Sequence, residues 1–166
     1  MCGQGQADTQ RRQSGTNVTL GSKTLTITNA GGFGAANIFS GIISGTGGVT
    51  LTGGAESLAG VNSYTGGTTI ENGSTLSVGT SGLDGTSGIT FGTGGGTLET
   101  AGGITFANAV TLTGAGTINN NGNSDTFSGL FSGSSALTVT GPGTVTLSDT
   151  NNTYSGATTI EGGGLR

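Results

Sequence analysis

From Asn17 onward the apolar residues of this chain fall into short alternating runs and almost never at helical spacing. In Lys23–Thr28, Leu25 and Ile27 point to one side of an extended chain while Thr24, Thr26 and Thr28 point to the other. Comparable runs recur at Val49–Thr52, Thr75–Val78, Ile89–Phe91, Ile104–Phe106, Val110–Thr113, Leu137–Thr140 and Thr144–Ser148, each bounded by Gly, Asn, Ser or Asp. Runs of β-formers punctuated by turn residues predict strands. Gly interrupts nearly every candidate helical window. The expectation is an all-β chain.

The runs belong to a longer repeat. Asn62-Ser63-Tyr64-Thr65-Gly66-Gly67-Thr68-Thr69-Ile70-Glu71 returns 90 residues later as Asn152-Thr153-Tyr154-Ser155-Gly156-Ala157-Thr158-Thr159-Ile160-Glu161. Upstream, Phe39-Ser40-Gly41-Ile42-Ile43-Ser44-Gly45-Thr46 matches Phe127-Ser128-Gly129-Leu130-Phe131-Ser132-Gly133-Ser134 at an offset of 88, so the second copy gains two residues between Thr140 and Asn152. The two long copies cover about 39–71 and 127–161. Between them, Gly88-Ile89-Thr90-Phe91 and Gly103-Ile104-Thr105-Phe106 form a shorter echo. The structural repeat positions are Asn62, Tyr64, Gly66, Thr68, Thr69 and Ile70, with Asn152, Tyr154, Gly156, Thr158, Thr159 and Ile160.

Strands of roughly three to six residues bury little in a hairpin sheet, but they bury a continuous interior when each turn of chain stacks on the last. At roughly 20–25 residues per turn the chain holds about six or seven turns, a rod on the order of 30 Å long at ~4.8 Å per strand. The pattern therefore predicts a parallel β-helix over residues 17–166, preceded by a polar, aperiodic segment 1–16 expected to be disordered.

Composition narrows the function. The 166 residues include 38 Gly, and only 7% are charged, against about 25% in ordinary domains. No Gly-X-Y period is present, which excludes collagen. Between Lys23 and Arg166 there is no other basic residue, so no cluster exists to neutralise phosphates, and neither a nucleic acid nor an anionic membrane surface is an expected partner. Cys2 is the single cysteine, which rules out an internal disulfide; it reads as a stray thiol.

The second copy, with Leu137-Thr138-Val139-Thr140-Gly141-Pro142-Gly143-Thr144-Val145-Thr146-Leu147-Ser148 ahead of it, resembles the autotransporter-associated β-strand repeat of bacterial type V secretion. The first copy shares the Asn-x-Tyr-Thr-Gly-Gly-Thr-Thr-Ile ending but departs in its middle, at Gly53-Gly54-Ala55-Glu56-Ser57-Leu58-Ala59-Gly60. The resemblance spans roughly residues 36–166. It implies a right-handed parallel β-helix serving as a stalk at the bacterial surface, exposing or spacing an adhesin or effector region. It also implies partners: the remainder of a passenger and a C-terminal translocator barrel, neither found in this chain, and host-surface or self-association contacts. The chain is accordingly expected to be a passenger segment.

No catalytic, cofactor or metal site is expected. With no His and a single Lys, neither a Ser–His nor a Ser–Lys arrangement can be built. The carboxylates Glu56, Glu71, Asp84, Glu99, Asp125, Asp149 and Glu161 are the remaining material for a polysaccharide-acting enzyme, but Glu71 and Glu161 recur with the repeat and read as corners. Gly122-Asn123-Ser124-Asp125 is a single copy of a calcium-like run, where six to eight oxygens would be needed; an Asx-type turn is the simpler reading. Tyr64 and Tyr154 are expected to pack at corners rather than bind sugars. The main rival is an ice-binding β-helix using Thr24/Thr26, Thr50/Thr52, Thr111/Thr113, Thr138/Thr140 and Thr144/Thr146, which requires those pairs to lie in register on one flat face.

Overall fold

The computed structural model describes residues 16–28, 37–79, 83 and 87–166. The expected N-terminal segment lies outside the described residues except for Thr16, as do Cys2 and Asp84. The chain runs through β1 (Val18–Thr19), β2 (Leu25–Ile27) and β3 (Asn37–Phe39), then β4 (Ile43–Gly45), β5 (Val49–Leu51) and β6 (Ala55–Leu58). A third set follows as β7 (Ser63–Tyr64), β8 (Thr68–Ile70) and β9 (Ser74–Val78). Next come β10 (Gly88–Phe91), β11 (Gly96–Thr100) and β12 (Thr105–Phe106), then β13 (Ala109–Leu112), β14 (Gly116–Asn119) and β15 (Ser124–Phe127). The last strands are β16 (Phe131–Gly133), β17 (Leu137–Thr140), β18 (Thr144–Leu147), β19 (Thr158–Ile160) and β20 (Gly164–Leu165).

Each strand pairs in parallel with the strand one turn away, for example Val49 with Thr68 and Ile89 with Val110. The result is a β-solenoid of three faces and about six turns. The second face is the sheet β2-β5-β8-β10-β13-β16, and the third is β3-β6-β9-β11-β14-β17-β19. The first face is carried by two sheets, β1-β4-β7 and β12-β15-β18-β20. Leu83, between β9 and β10 in the sequence, is buried.

Alternation within each strand decides what fills the interior. Val49 and Leu51, Leu76 and Val78, Ile89 and Phe91, and Val110 and Leu112 are all buried, with outward residues between them. Each fully buried aliphatic or aromatic side chain contributes about 1.5–3 kcal/mol, and stacking multiplies the effect along the axis. On the first face Phe106 lies flat on its register partner Phe127 at 4.6 Å, which meets Phe131 edge-on at 5.5 Å. The tetrads ending in Phe91 and Phe106, alike in sequence, lie on different faces: β10 on the second, β12 on the first.

The long repeat behaves in the same way. Its first copy lays Ile43–Gly45 on the first face, Val49–Leu51 on the second and Ala55–Leu58 on the third. Its second copy lays Phe131–Gly133 on the second face, Leu137–Thr140 on the third and Thr144–Leu147 on the first. The copies are thus four turns and one face apart. Four register steps carry Val49 through Thr68, Ile89 and Val110 to Phe131, 82 residues on, so an offset of 88 overshoots four turns and sets the second copy on the next face.

Candidate functional site

The repeated corner at 62–71 and 152–161 is where sequence and geometry coincide most fully. Asn62 is buried; its Oδ1 accepts from Ile43 N of the preceding turn at 2.9 Å, and its Nδ2 donates to Gly60 O at 3.0 Å. Asn152 makes the same pair, accepting from Phe131 N at 2.7 Å and donating to Asp149 O at 2.8 Å. Each side chain thereby supplies the acceptor for the first residue of the strand one turn before, Ile43 of β4 or Phe131 of β16, which is how a buried backbone donor at a corner avoids being orphaned. Asn17 is a further instance that the repeat did not reveal: its Oδ1 accepts from Ile42 N at 2.9 Å.

Two residues on, Tyr64 and Thr68 share a hydrogen bond of 2.7 Å, and Tyr154 and Thr158 one of 2.9 Å. Burial pushes the Tyr64 phenol up to about 12, against the opposing effect of the Thr68 hydrogen bond. Tyr154 meets the edge of Phe131 at 6.1 Å. Next, Thr65 N donates to Gly45 O and Ser155 N to Gly133 O, both at 2.9 Å. Those acceptors have φ of +115° and +107°, a conformation open to glycine and costly for other residues. Gly66 and Gly156 then press against the turn below. A Cβ at Gly66 would lie 2.5 Å from Gly48 N, and one at Gly156 would strike the carbonyl of Ser135.

The strand that ends the corner differs in setting. Thr68 and Ile70 are buried within the second face, whereas Thr158, Thr159 and Ile160 on the third face are all exposed. Thr69 points outward between Thr50 and Thr90.

The carboxylates do not converge among the described residues. Asp125 is buried, with Oδ2 accepting from Thr100 Oγ1 at 2.7 Å and Oδ1 from Ile104 N at 2.9 Å. Its oxygens serve the fold instead of forming an outward cation cage. The Asx-type bonds come just before the expected run, from Asn121 N to Asn119 Oδ1 at 3.1 Å and from Gly122 N to Asn120 Oδ1 at 3.0 Å. Glu99 accepts from Asn119, and Asp149 from Asn151. Among the described residues no group of three or more His, Cys, Asp or Glu side chains is placed to hold a metal ion. Glu56 stands apart: it faces the interior, and burial raises its carboxyl to about 7 even though a hydrogen bond from Asn37 acts to lower it. Alternation with buried Leu58 was the available signal.

The Thr-x-Thr pairs divide among the faces. Thr24/Thr26, Thr50/Thr52 and Thr111/Thr113 belong to the second face, Thr138/Thr140 to the third and Thr144/Thr146 to the first. What does align is single threonines: Thr26, Thr50, Thr69, Thr90 and Thr111 form one outward ladder, and Thr75, Thr97, Thr117, Thr138 and Thr159 another. Beside the first ladder, the next outward positions include Glu71 and Gly92, while Thr52 and Thr113 spend their hydroxyls on Ile27 O and Phe91 O. A second threonine rank is therefore broken.

Residues 137–166 match the passenger-associated-transport-repeat family. The match covers β17 to β20 and the second corner, in agreement with the resemblance to autotransporter passengers. No curated protein and no solved structure matches the chain.

Proposed function

We propose that the chain is a stalk segment of an autotransporter passenger, a rod that spaces an adhesive or effector region from the bacterial surface and performs no chemistry itself. The reading rests on one observation above the others. The passenger-associated repeat at 137–166 folds as consecutive turns of a solenoid, and its corner makes the bonds that the earlier corner makes four turns and one face away. Polar side chains are spent on holding one turn to the next. The outward faces carry threonine ladders and little charge.

A rod of this kind transmits position. Its length follows from turn number at ~4.8 Å per turn, and its stiffness from backbone ladders running along the whole axis. The test is to fuse the chain, with an epitope ahead of it, to an export signal and a translocator barrel from a bacterial autotransporter. The expected result is an epitope accessible to antibody on intact cells, displaced outward by on the order of 30 Å relative to a fusion lacking residues 17–166. An epitope retained inside the cell, or one no farther out than in the shortened fusion, would overturn the proposal.

A further inference from the structure

The third face carries an interior column running Asn37, Glu56, Leu76, Leu98, Ile118 and Val139 in register. From Leu76 onward every member is aliphatic. Glu56 breaks the series, with only 5% of its surface exposed. Its Oε2 is buried without a hydrogen-bond partner, and the Asn37 side chain supplies the hydrogen bond to the carboxyl. A half-satisfied carboxylate among aliphatic side chains is costly when ionised, whereas the neutral acid loses much of that penalty.

Among the described residues of the neighbouring strands no cation compensates the charge. The strands packed against β6 are β3, with Asn37, Ile38 and Phe39, and β9, with Ser74 to Val78. Neither carries a charged residue. From β4, β5, β7 and β8 the one titratable side chain is Tyr64, whose phenol stays neutral, and Glu71 lies just beyond β8 on the outward rank of the second face. The nearest Lys or Arg in the described sequence is Lys23, a turn before β4.

We propose that Glu56 makes the turns bearing β3, β6 and β9 a proton-controlled section of the rod, closed when the carboxyl is neutral and locally opened to water when it ionises. The column supplies the two states: with the proton on, Glu56 fills its place between Asn37 and Leu76; with it off, the carboxylate regains solvation only by drawing β6 away from its neighbours. Farther along the axis the same column is aliphatic, so the response is confined to the turns around β6. Burial raises the carboxyl to about 7, which puts the change in the mildly acidic to neutral range.

Hydrogen exchange of the full chain, corrected for intrinsic rates, reads this directly. Between pH 5 and pH 8, amides of β6 and its neighbours β3 and β9 should lose protection on the order of 50-fold. Amides of Leu137–Thr140 should hold theirs. Glu56→Gln, a neutral side chain of the same shape, should abolish the pH dependence. Equal protection of β6 in the wild-type chain at both pH values overturns the proposal. So does a Glu56 carboxyl that titrates near its ordinary value of 4.5 when followed by carbon NMR in the wild-type chain, a measurement that decides the matter even if the variant fails to fold.

Discussion

Ile70 and Ile160 hold the same place in the repeat and opposite places in the molecule. Ile70 lies fully buried on the second face between Leu51 and Phe91, whereas Ile160 lies on the third face against Val139 and is 50% exposed. Ile70→Ala should therefore cost about 3–4 kcal/mol and Ile160→Ala under ~1 kcal/mol. Urea unfolding of the two variants checks this. Equal losses would mean that β19 is covered in solution.

Asn62 carries two bonds that no backbone group replaces. Asn62→Ala leaves Ile43 N and Gly60 O without partners in a buried corner, at an expected cost of about 2–3 kcal/mol. Asn152→Ala, at a less buried corner, should cost less. Thermal melts followed by circular dichroism would show the ordering, and a neutral Asn62→Ala would remove the corner from the list of stabilising elements.

Glycine spacing predicts a contrast between positions. Gly66→Ala drives a Cβ into the backbone of Gly47 and Gly48, while a Cβ at Gly79 would meet nothing within 4 Å. The first change should destabilise by more than ~2 kcal/mol, and the second should be neutral or stabilise by up to ~1 kcal/mol through the unfolded chain. Soluble yield and melting temperature of the two single variants are enough to tell.

The Tyr64 phenol is raised to about 12 from an ordinary 10. A raised folded value means that its contribution is complete below pH 10 and is lost as pH climbs toward 12, by at most ~3 kcal/mol. Tyr64→Phe should lose about 1 kcal/mol at pH 7, where Thr68 is left unbonded, and should flatten the alkaline fall. An alkaline melt identical to wild type would mean that Tyr64 is not buried as described.

Glu56 gives the matching acid-side signature in global stability. Its folded value, about 7 against 4.5, makes stability greatest below pH 4.5 and lower as pH rises to 7, by at most ~3 kcal/mol. Denaturant midpoints measured at pH 5 and pH 8 should differ in that direction for the wild-type chain and coincide for Glu56→Leu, which restores the aliphatic column.

Strand identity and interior positions were legible in the residues because alternation is local. Leu25 and Ile27, or Leu137 and Val139, declare their side of the strand through neighbours two positions away. The corner was legible for a related reason: Asn62, Tyr64, Gly66 and Thr68 solve a problem of local chain geometry, and the same answer recurs at Asn152, Tyr154, Gly156 and Thr158. Which face each copy occupies was decided only by stacking, since register between turns depends on turn length summed over many corners, and 88 residues do not make whole turns. The same holds for the threonines, whose ladders join Thr26, Thr50, Thr69, Thr90 and Thr111 at unequal intervals. Exposure of Ile160, at a repeat position where Ile70 is buried, was likewise settled by what lies one turn above and below, a neighbour relation that the order of residues along the chain does not contain.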